Sequence, residues 1–201
     1  GQHFIIRSTV SPGTTNFIHH ILKKKQKKIN VTFYPERFVQ GFAIEEFDQF
    51  PQIIGPVNKS SKIECLKFLN KFSKEIIILK PKEAELTKLF LNSYRYVQFS
   101  IANQFYKIAD SAKLDYKRID YAMRHKYKRG SIPSPGLTAG PCLFKDTMQL
   151  YSFSKNEFTL GVNAMTTNEG IVNYIVEKIK LENDLSTKIV GILGMAFKAE
   201  S

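Results

Sequence analysis

Beyond Pro81, and as far as about Ala112, no glycine or proline interrupts the chain. Apolar residues recur there at Leu86, Leu89, Phe90, Tyr94, Val97, Ile101, Phe105 and Ile108. That period over that length predicts a single helix of about 30 residues, far above the mean of about 11 or 12 in globular proteins. Apolar side chains on so much of its circumference need partners on several sides. The helix is therefore the spine of a helical domain, or it packs on a second copy of itself. Either way it divides the chain into a part before residue 81 and a part after it.

Before the helix, short β-rich runs alternate with helical ones. "FIIRSTV", "INVTFYPERF", "PQIIGP" and "EIIILK" read as strands. "SPGTTNFIHHILKKK" reads as a loop entering a helix, and residues 59–72 carry Ile63, Leu66, Phe68 and Leu69 at helical spacing. This alternation predicts an α/β unit with a parallel or mixed sheet over residues 1–80. After the long helix, "DYKRIDYAMRHKYK" predicts a second helix, a Pro/Gly loop follows, and further helices are expected over residues 144–154 and 166–182. "KIVGILGMAFKAES" reads as a strand opening a new unit. The expected fold is thus α/β plus all-α, divided at residues 1–80, 81–185 and 186–201.

Charge narrows the partners. The formal net charge is +12, from 30 Lys and Arg against 18 Asp and Glu. The excess favours anionic partners such as phosphorylated small molecules. Part of it lies in "KKKQKK", which suits a solvated surface, and part in "RHKYKRG", directly before the Pro/Gly loop, where an anion-binding role fits better. A nucleic-acid partner is not expected, because no recognition motif is present and the aromatic residues follow core periodicity. No run approaches the roughly 20 apolar residues needed to span a bilayer. Two cysteines make no disulfide framework, so a reducing, cytoplasmic compartment is expected.

One of those cysteines, Cys142, lies in "PSPGLTAGPCLFKDT". It follows Gly140 and Pro141 where a helix is expected to open, and the positive end of a helix dipole favours nucleophilic use of a thiol. Asp146, one turn later, can orient a water or relay a proton. On the long helix Lys88 and Asn92 are spaced i,i+4, so an ammonium and an amide nitrogen can converge on a developing oxyanion. Taken singly, each pattern also suits a bland reading: an inert, partly buried thiol, and a polar stripe on a wet helix face.

Together the motifs say more. "RSTVSPGTT", "YPERFVQG", "EAELTKLFLNSY", "GPCLFKDT" and "GILGMAFK" stand here in the order they have in the UDP-glucose/GDP-mannose dehydrogenase family. The sequence resembles that family over essentially its whole length. The resemblance implies NAD-dependent oxidation of a nucleotide-sugar C6 alcohol to a carboxylate in two hydride transfers, through a cysteine-bound aldehyde and thioester. It implies that Cys142 is the nucleophile, that Lys88 and Asn92 bind the oxyanion, and that Asp146 orients water with help from Thr9. Glu36 would be an acid/base group in the hydrolytic half.

The same resemblance implies binding roles for other positions. Gly136 and Gly140 would belong to a loop closing over the sugar, and Phe197 and Lys198 to a substrate-contacting pair. Arg129 would reach the substrate of a neighbouring subunit, and Thr9, Gln40 and Lys145 would approach the cofactor. The long helix over residues 81–112 would be the spine of a homodimer. A UDP-linked sugar is favoured, N-acetylated by the look of the cysteine loop, and the product would be a sugar acid for surface polysaccharides.

Two departures stand out. No Gly-x-Gly-x-x-Gly follows a strand, so the pyrophosphate turn of a Rossmann half is expected upstream and the chain is expected to be a middle segment. Gln40 stands where many relatives have a glutamate near the cofactor. A non-catalytic dimerisation module would gain nothing from Cys142, Lys88 and Asn92 together. A hydroxyacid dehydrogenase related by fold would need no cysteine in a glycine loop.

Overall fold

The computed structural model describes residues 2–25, 28–38, 41–46, 49–138 and 140–193. Among them are strands β1 (Gln2–Ile6), β2 (Ile29–Phe33), β3 (Gln52–Pro56) and β4 (Ile76–Ile78). The helices are α1 (Thr14–Lys25), α2 (Ala43–Glu46), α3 (Lys59–Leu69), α4 (Pro81–Ser111), α5 (Tyr116–Arg124), α6 (Pro141–Phe153) and α7 (Thr159–Glu182). The chain separates into two compact units, residues 1–91 and 92–201, with the division falling within α4.

The first unit is built on a four-stranded mixed sheet of order β1-β2-β3-β4. β1 and β2 run parallel with Gln2 opposite Ile29, β2 and β3 antiparallel with Phe33 opposite Gly55, and β3 and β4 parallel with Gln52 opposite Ile76. Both faces are covered, so the central strands are buried at successive positions instead of alternating. Tyr34 and Ile54 pack with Cys65 and Leu69 of α3, while Phe33 and Ile53 pack with Ala84 of α4. Gly55 permits that second approach, because a Cβ there would stand 2.8 Å from the Pro81 Cα.

α4 confirms the long uninterrupted pattern at 31 residues. Proline at its first position needs no amide partner, and Glu83 accepts a hydrogen bond from the Lys80 amide at 2.8 Å, which is half of a capping box. It stops where Lys113 takes a positive φ of 57°. There the Leu114 amide donates to Ala109 O and the Lys113 amide to Asp110 O, the paired bonds of a Schellman ending.

In the second unit α4 packs on α7 through a buried polar ladder. Asn103 Nδ2 donates to Asn168 Oδ1 at 2.9 Å, Asn168 Nδ2 donates to Tyr96 O at 3.0 Å, and Tyr96 OH donates to Glu169 Oε1 at 3.0 Å. Each buried polar group on this path finds a partner, which specifies one register of the two helices.

Several expected boundaries move. α7 begins at Thr159, seven residues before the expected 166, because tertiary packing overrides the propensity cost of Gly161. A Cβ at Gly161 would meet Phe158 and Thr147 side-chain atoms at 2.8 Å, so the glycine is what lets α7 lie close to α6. α5 ends at Arg124, not 128, and a short 3-10 turn at Lys128–Gly130 follows. The strand expected from residue 188 onward is not formed over residues 188–193, which have no β neighbour among the described residues. Residues 194–201 lie outside the described residues.

Candidate active site

α6 positions the reactive thiol. Gly140, with φ 87° and ψ 149°, occupies a backbone region open essentially to glycine alone, and it turns the chain into the helix. Pro141 takes the first helical position, so Cys142 sits in the first turn and is exposed. Among the described residues no side chain caps that end of the helix.

One turn on, Asp146 is 1% exposed and Asn92 of α4 is 6% exposed. Asn92 Nδ2 donates to Asp146 Oδ2 at 2.6 Å. One amide hydrogen expected to serve an oxyanion is therefore spent on orienting a carboxylate, and Asn92 has one other to offer. Lys145 Nζ lies 3.1 Å from Asp146 Oδ1, an ion-pair contact outside hydrogen-bond geometry, so the buried Oδ1 has no hydrogen-bond donor among the described residues. A carboxylate fixed in this way can direct a water or a hydroxyl through its remaining lone pairs. Within α6 Thr147 Oγ1 donates to Leu143 O at 2.7 Å, and Tyr96 of α4 meets Phe144 of α6 edge to face.

Other expected residues of the second unit take simpler positions. The Gly136 amide donates to Asn103 Oδ1 at 2.7 Å, tying the Pro/Gly loop to the polar ladder. Arg129 is exposed in the 3-10 turn, its guanidinium 5.2 Å from the Tyr127 ring centre.

In the first unit, Thr9 lies half-buried past the carboxyl end of β1, and Glu36 lies exposed past the carboxyl end of β2. Glu36 is ion-paired with Arg7, whose guanidinium stacks 4.1 Å from the Tyr34 ring centre. Burial disfavours the Arg7 charge, but Glu36 and Tyr34 outweigh it and raise its pKa. The Glu36 assigned to acid/base work is thus held in an ion pair that sequence reading did not foresee. Lys88 is half-buried on α4, one turn before Asn92. Gln40, Phe197 and Lys198 lie outside the described residues.

Sequence reading also missed Glu85 and Asn103. Glu85 is fully buried and accepts from the Gly13 amide, the Thr15 amide and the Thr15 hydroxyl, so it anchors the "SPGTT" turn. Both interrupt the apolar stripe of α4 at core positions, and a polar residue there is a legible signal of a buried network.

Residues 1–74 match the model of the UDP-glucose/GDP-mannose dehydrogenase family, NAD binding domain, and residues 82–170 match the central domain of the same family. The chain belongs to the UDP-glucose/GDP-mannose dehydrogenase family. It is 33% identical to the UDP-N-acetyl-D-mannosamine dehydrogenase of Methanocaldococcus jannaschii over 98% of this chain and 46% of that protein. It is 29% identical to the UDP-glucose 6-dehydrogenase of Rickettsia bellii over 97% of this chain and 48% of that protein. The solved UDP-D-ManNAc dehydrogenase of Pyrococcus horikoshii superposes with a TM-score of 0.82 at 27% identity, over 92% of this chain and 47% of that one. The chain spans about half the length of the curated relatives it matches.

Proposed function

We propose that this chain carries the thioester-forming residues of a nucleotide-sugar 6-dehydrogenase that converts a UDP-linked sugar, N-acetylated by preference, to its uronate with NAD. The observation that carries the proposal is the pairing of Asn92 with a buried Asp146 one helical turn beyond an exposed Cys142. Acyl-enzyme chemistry needs those parts: a nucleophile, amide donors and a carboxylate able to direct water.

A nicotinamide cofactor fits part of what is present. Ligands of open α/β sheets sit beyond the carboxyl ends of parallel strands. Residues beyond β1 and β2 offer the Thr9 hydroxyl and the Arg7–Glu36 pair at that edge. NAD, when bound, accepts one hydride from C6 in each of the two oxidations.

The chain's own residues supply the rest. Lys88 assists removal of the C6 hydroxyl proton. The Cys142 sulfur adds to the aldehyde carbon as a thiohemiacetal, with its oxygen held by Lys88 and the remaining Asn92 amide hydrogen. After the second oxidation, water directed by Asp146 and Thr9 attacks the thioester. The C–S bond breaks, the carboxylate leaves, and Cys142 recovers its proton. Glu36 serves as acid/base in this half, and Lys145 and Gln40 are assigned to cofactor binding. Gly136 and Gly140 let the loop close over the sugar, while Arg129, Phe197 and Lys198 contact the substrate.

We also assign a homodimer formed through α4, supported by the exposed Tyr94, Ile101, Phe105 and Ile108 along that helix. Among the described residues no helix is long and apolar enough to cross a membrane. The reading is tested by NADH formation from NAD and a panel of UDP-sugars, measured on the full gene product beside Cys142→Ala. The variant should lose the second oxidation and release of the uronate. Unchanged uronate production by the variant would remove the cysteine from the mechanism.

A further inference from the structure

The polar ladder between α4 and α7 does not end within the helix pair. At Asn103 it reaches the Pro/Gly loop that leads to Cys142. Both of its side-chain amides have one workable orientation. The Tyr96 carbonyl can only accept, so Asn168 turns its Nδ2 to it, at 3.0 Å. Asn168 Oδ1 then faces Asn103, which answers with its own Nδ2 at 2.9 Å. Asn103 Oδ1 is left for the Gly136 amide, which can only donate, and the two meet at 2.7 Å across 33 residues of sequence. A backbone carbonyl at one end and a backbone N–H at the other thus fix the direction of each bond between them.

Joining two helices does not by itself call for this acceptor. Replacing both members of a buried polar pair by apolar groups of the same shape can be nearly neutral. Only the loop requires an oxygen at position 103. Asn103 has no exposed surface, so it touches no substrate and acts through what it holds. What it holds is a constrained point. Pro133 and Pro135 fix their own φ and restrict the residues before them. Gly136 has a φ of 154°, which side chains rarely adopt. Six residues later, past the turn at Gly140, stands Cys142.

We propose that Asn103 is a positioning residue, whose Oδ1 fixes the Gly136 end of the loop so that the loop meets the sugar already ordered. The inference rests on the reading that this loop closes over the nucleotide sugar. Without the anchor, sugar binding must also order the loop, which raises KM and leaves the chemical step alone.

The test compares Asn103→Leu, Asn103→Asp and Tyr96→Phe in the full gene product. Leucine removes the acceptor, aspartate keeps an oxygen for the Gly136 amide, and Tyr96→Phe breaks only the bond to Glu169 on the same helix pair. Asn103→Leu should raise KM for the nucleotide sugar about tenfold, the scale of ordering one backbone residue, with kcat and the KM for NAD unchanged. Asn103→Asp and Tyr96→Phe should lower Tm and keep the parent's KM. Hydrogen exchange gives a readout independent of turnover. In the parent the Gly136 amide should be protected about tenfold more than that of the exposed Leu137, and Asn103→Leu should abolish the difference. If Asn103→Leu does not fold, exchange in the parent decides. An unprotected Gly136 amide would overturn the proposal, as would a parent-like KM in Asn103→Leu. So would an equal rise in Tyr96→Phe, since the packing of α4 on α7 would then be the cause. A parent that oxidises no UDP-sugar would refute the dehydrogenase reading instead, and the exchange result would still decide whether Asn103 holds the loop.

Discussion

Replacing Glu85 by alanine is expected to destabilise the first unit by about 3 kcal/mol. The carboxylate is fully buried, with Oε2 2.5 Å from the Gly13 amide and Oε1 2.8 Å from the Thr15 amide and 2.6 Å from the Thr15 hydroxyl. These donors stand at the N-terminus of α1, where backbone amides have no partner in the helix and a negative group is favoured by the dipole. Thr15 is itself fully buried, so its amide and hydroxyl would both be stranded, at about 1–3 kcal/mol each. Gly13 is only half-buried and its amide would turn to water. Relief of the carboxylate's own desolvation offsets part of the loss, which brings the sum to about 3 kcal/mol.

In urea, with a slope of about 1–3 kcal/mol per molar, the midpoint should fall by about 1–3 M. Circular dichroism of the full chain would follow the transition, and hydrogen exchange at the Thr15 amide would locate it. Glu85→Gln keeps one acceptor oxygen and should lose about half as much. A Glu85→Ala midpoint within about 0.3 M of the parent, or Thr15 exchange no faster than before, would refute the anchoring role.

Two further outcomes follow from the side-chain environments. Cys142 is exposed, whereas Cys65 is fully buried and its thiol is pushed up by burial to about 11, so iodoacetamide at mildly alkaline pH should label Cys142 and spare Cys65 until urea unfolds the chain. Mass spectrometry showing both labelled in the folded chain would contradict the burial. Asp110 accepts hydrogen bonds from Lys178 Nζ and Tyr174 OH, and these hold its carboxyl below its ordinary 3.8. A depressed folded pKa gives stability that is present above the unfolded value and lost as pH falls through the folded one. Unfolding midpoints of the parent chain should therefore drop more steeply below about pH 4 than those of Asp110→Asn. Parallel pH profiles would mean that the pair contributes nothing.

Much of this was legible in the residues because it depends on local order. The 31-residue α4 follows from a period and from the absence of Gly and Pro, and the mixed α/β character of the first unit follows from alternating β-rich and helical runs. The family is legible for a related reason: five short motifs keep their order and spacing, and spacing survives in a sequence even where the contacts do not show. α6 opens at Pro141, three residues before the expected 144, because proline suits the first helical position, where no amide partner is needed.

Tertiary structure alone decided what is distant in the chain. The i,i+4 spacing puts Lys88 and Asn92 on one side of α4, but only the packing of α6 shows that Asn92 gives a hydrogen to Asp146, 54 residues away. Arg7 and Glu36 meet because β1 and β2 are paired in register, and no spacing rule relates two strands joined through a helix. α7 starts at Thr159 because Gly161, unfavourable in an isolated helix, lets α7 approach α6. Propensity and period are properties of neighbouring residues. Burial and hydrogen-bond partners are properties of which surfaces meet, and their free energy exists only once the chain has brought those surfaces together.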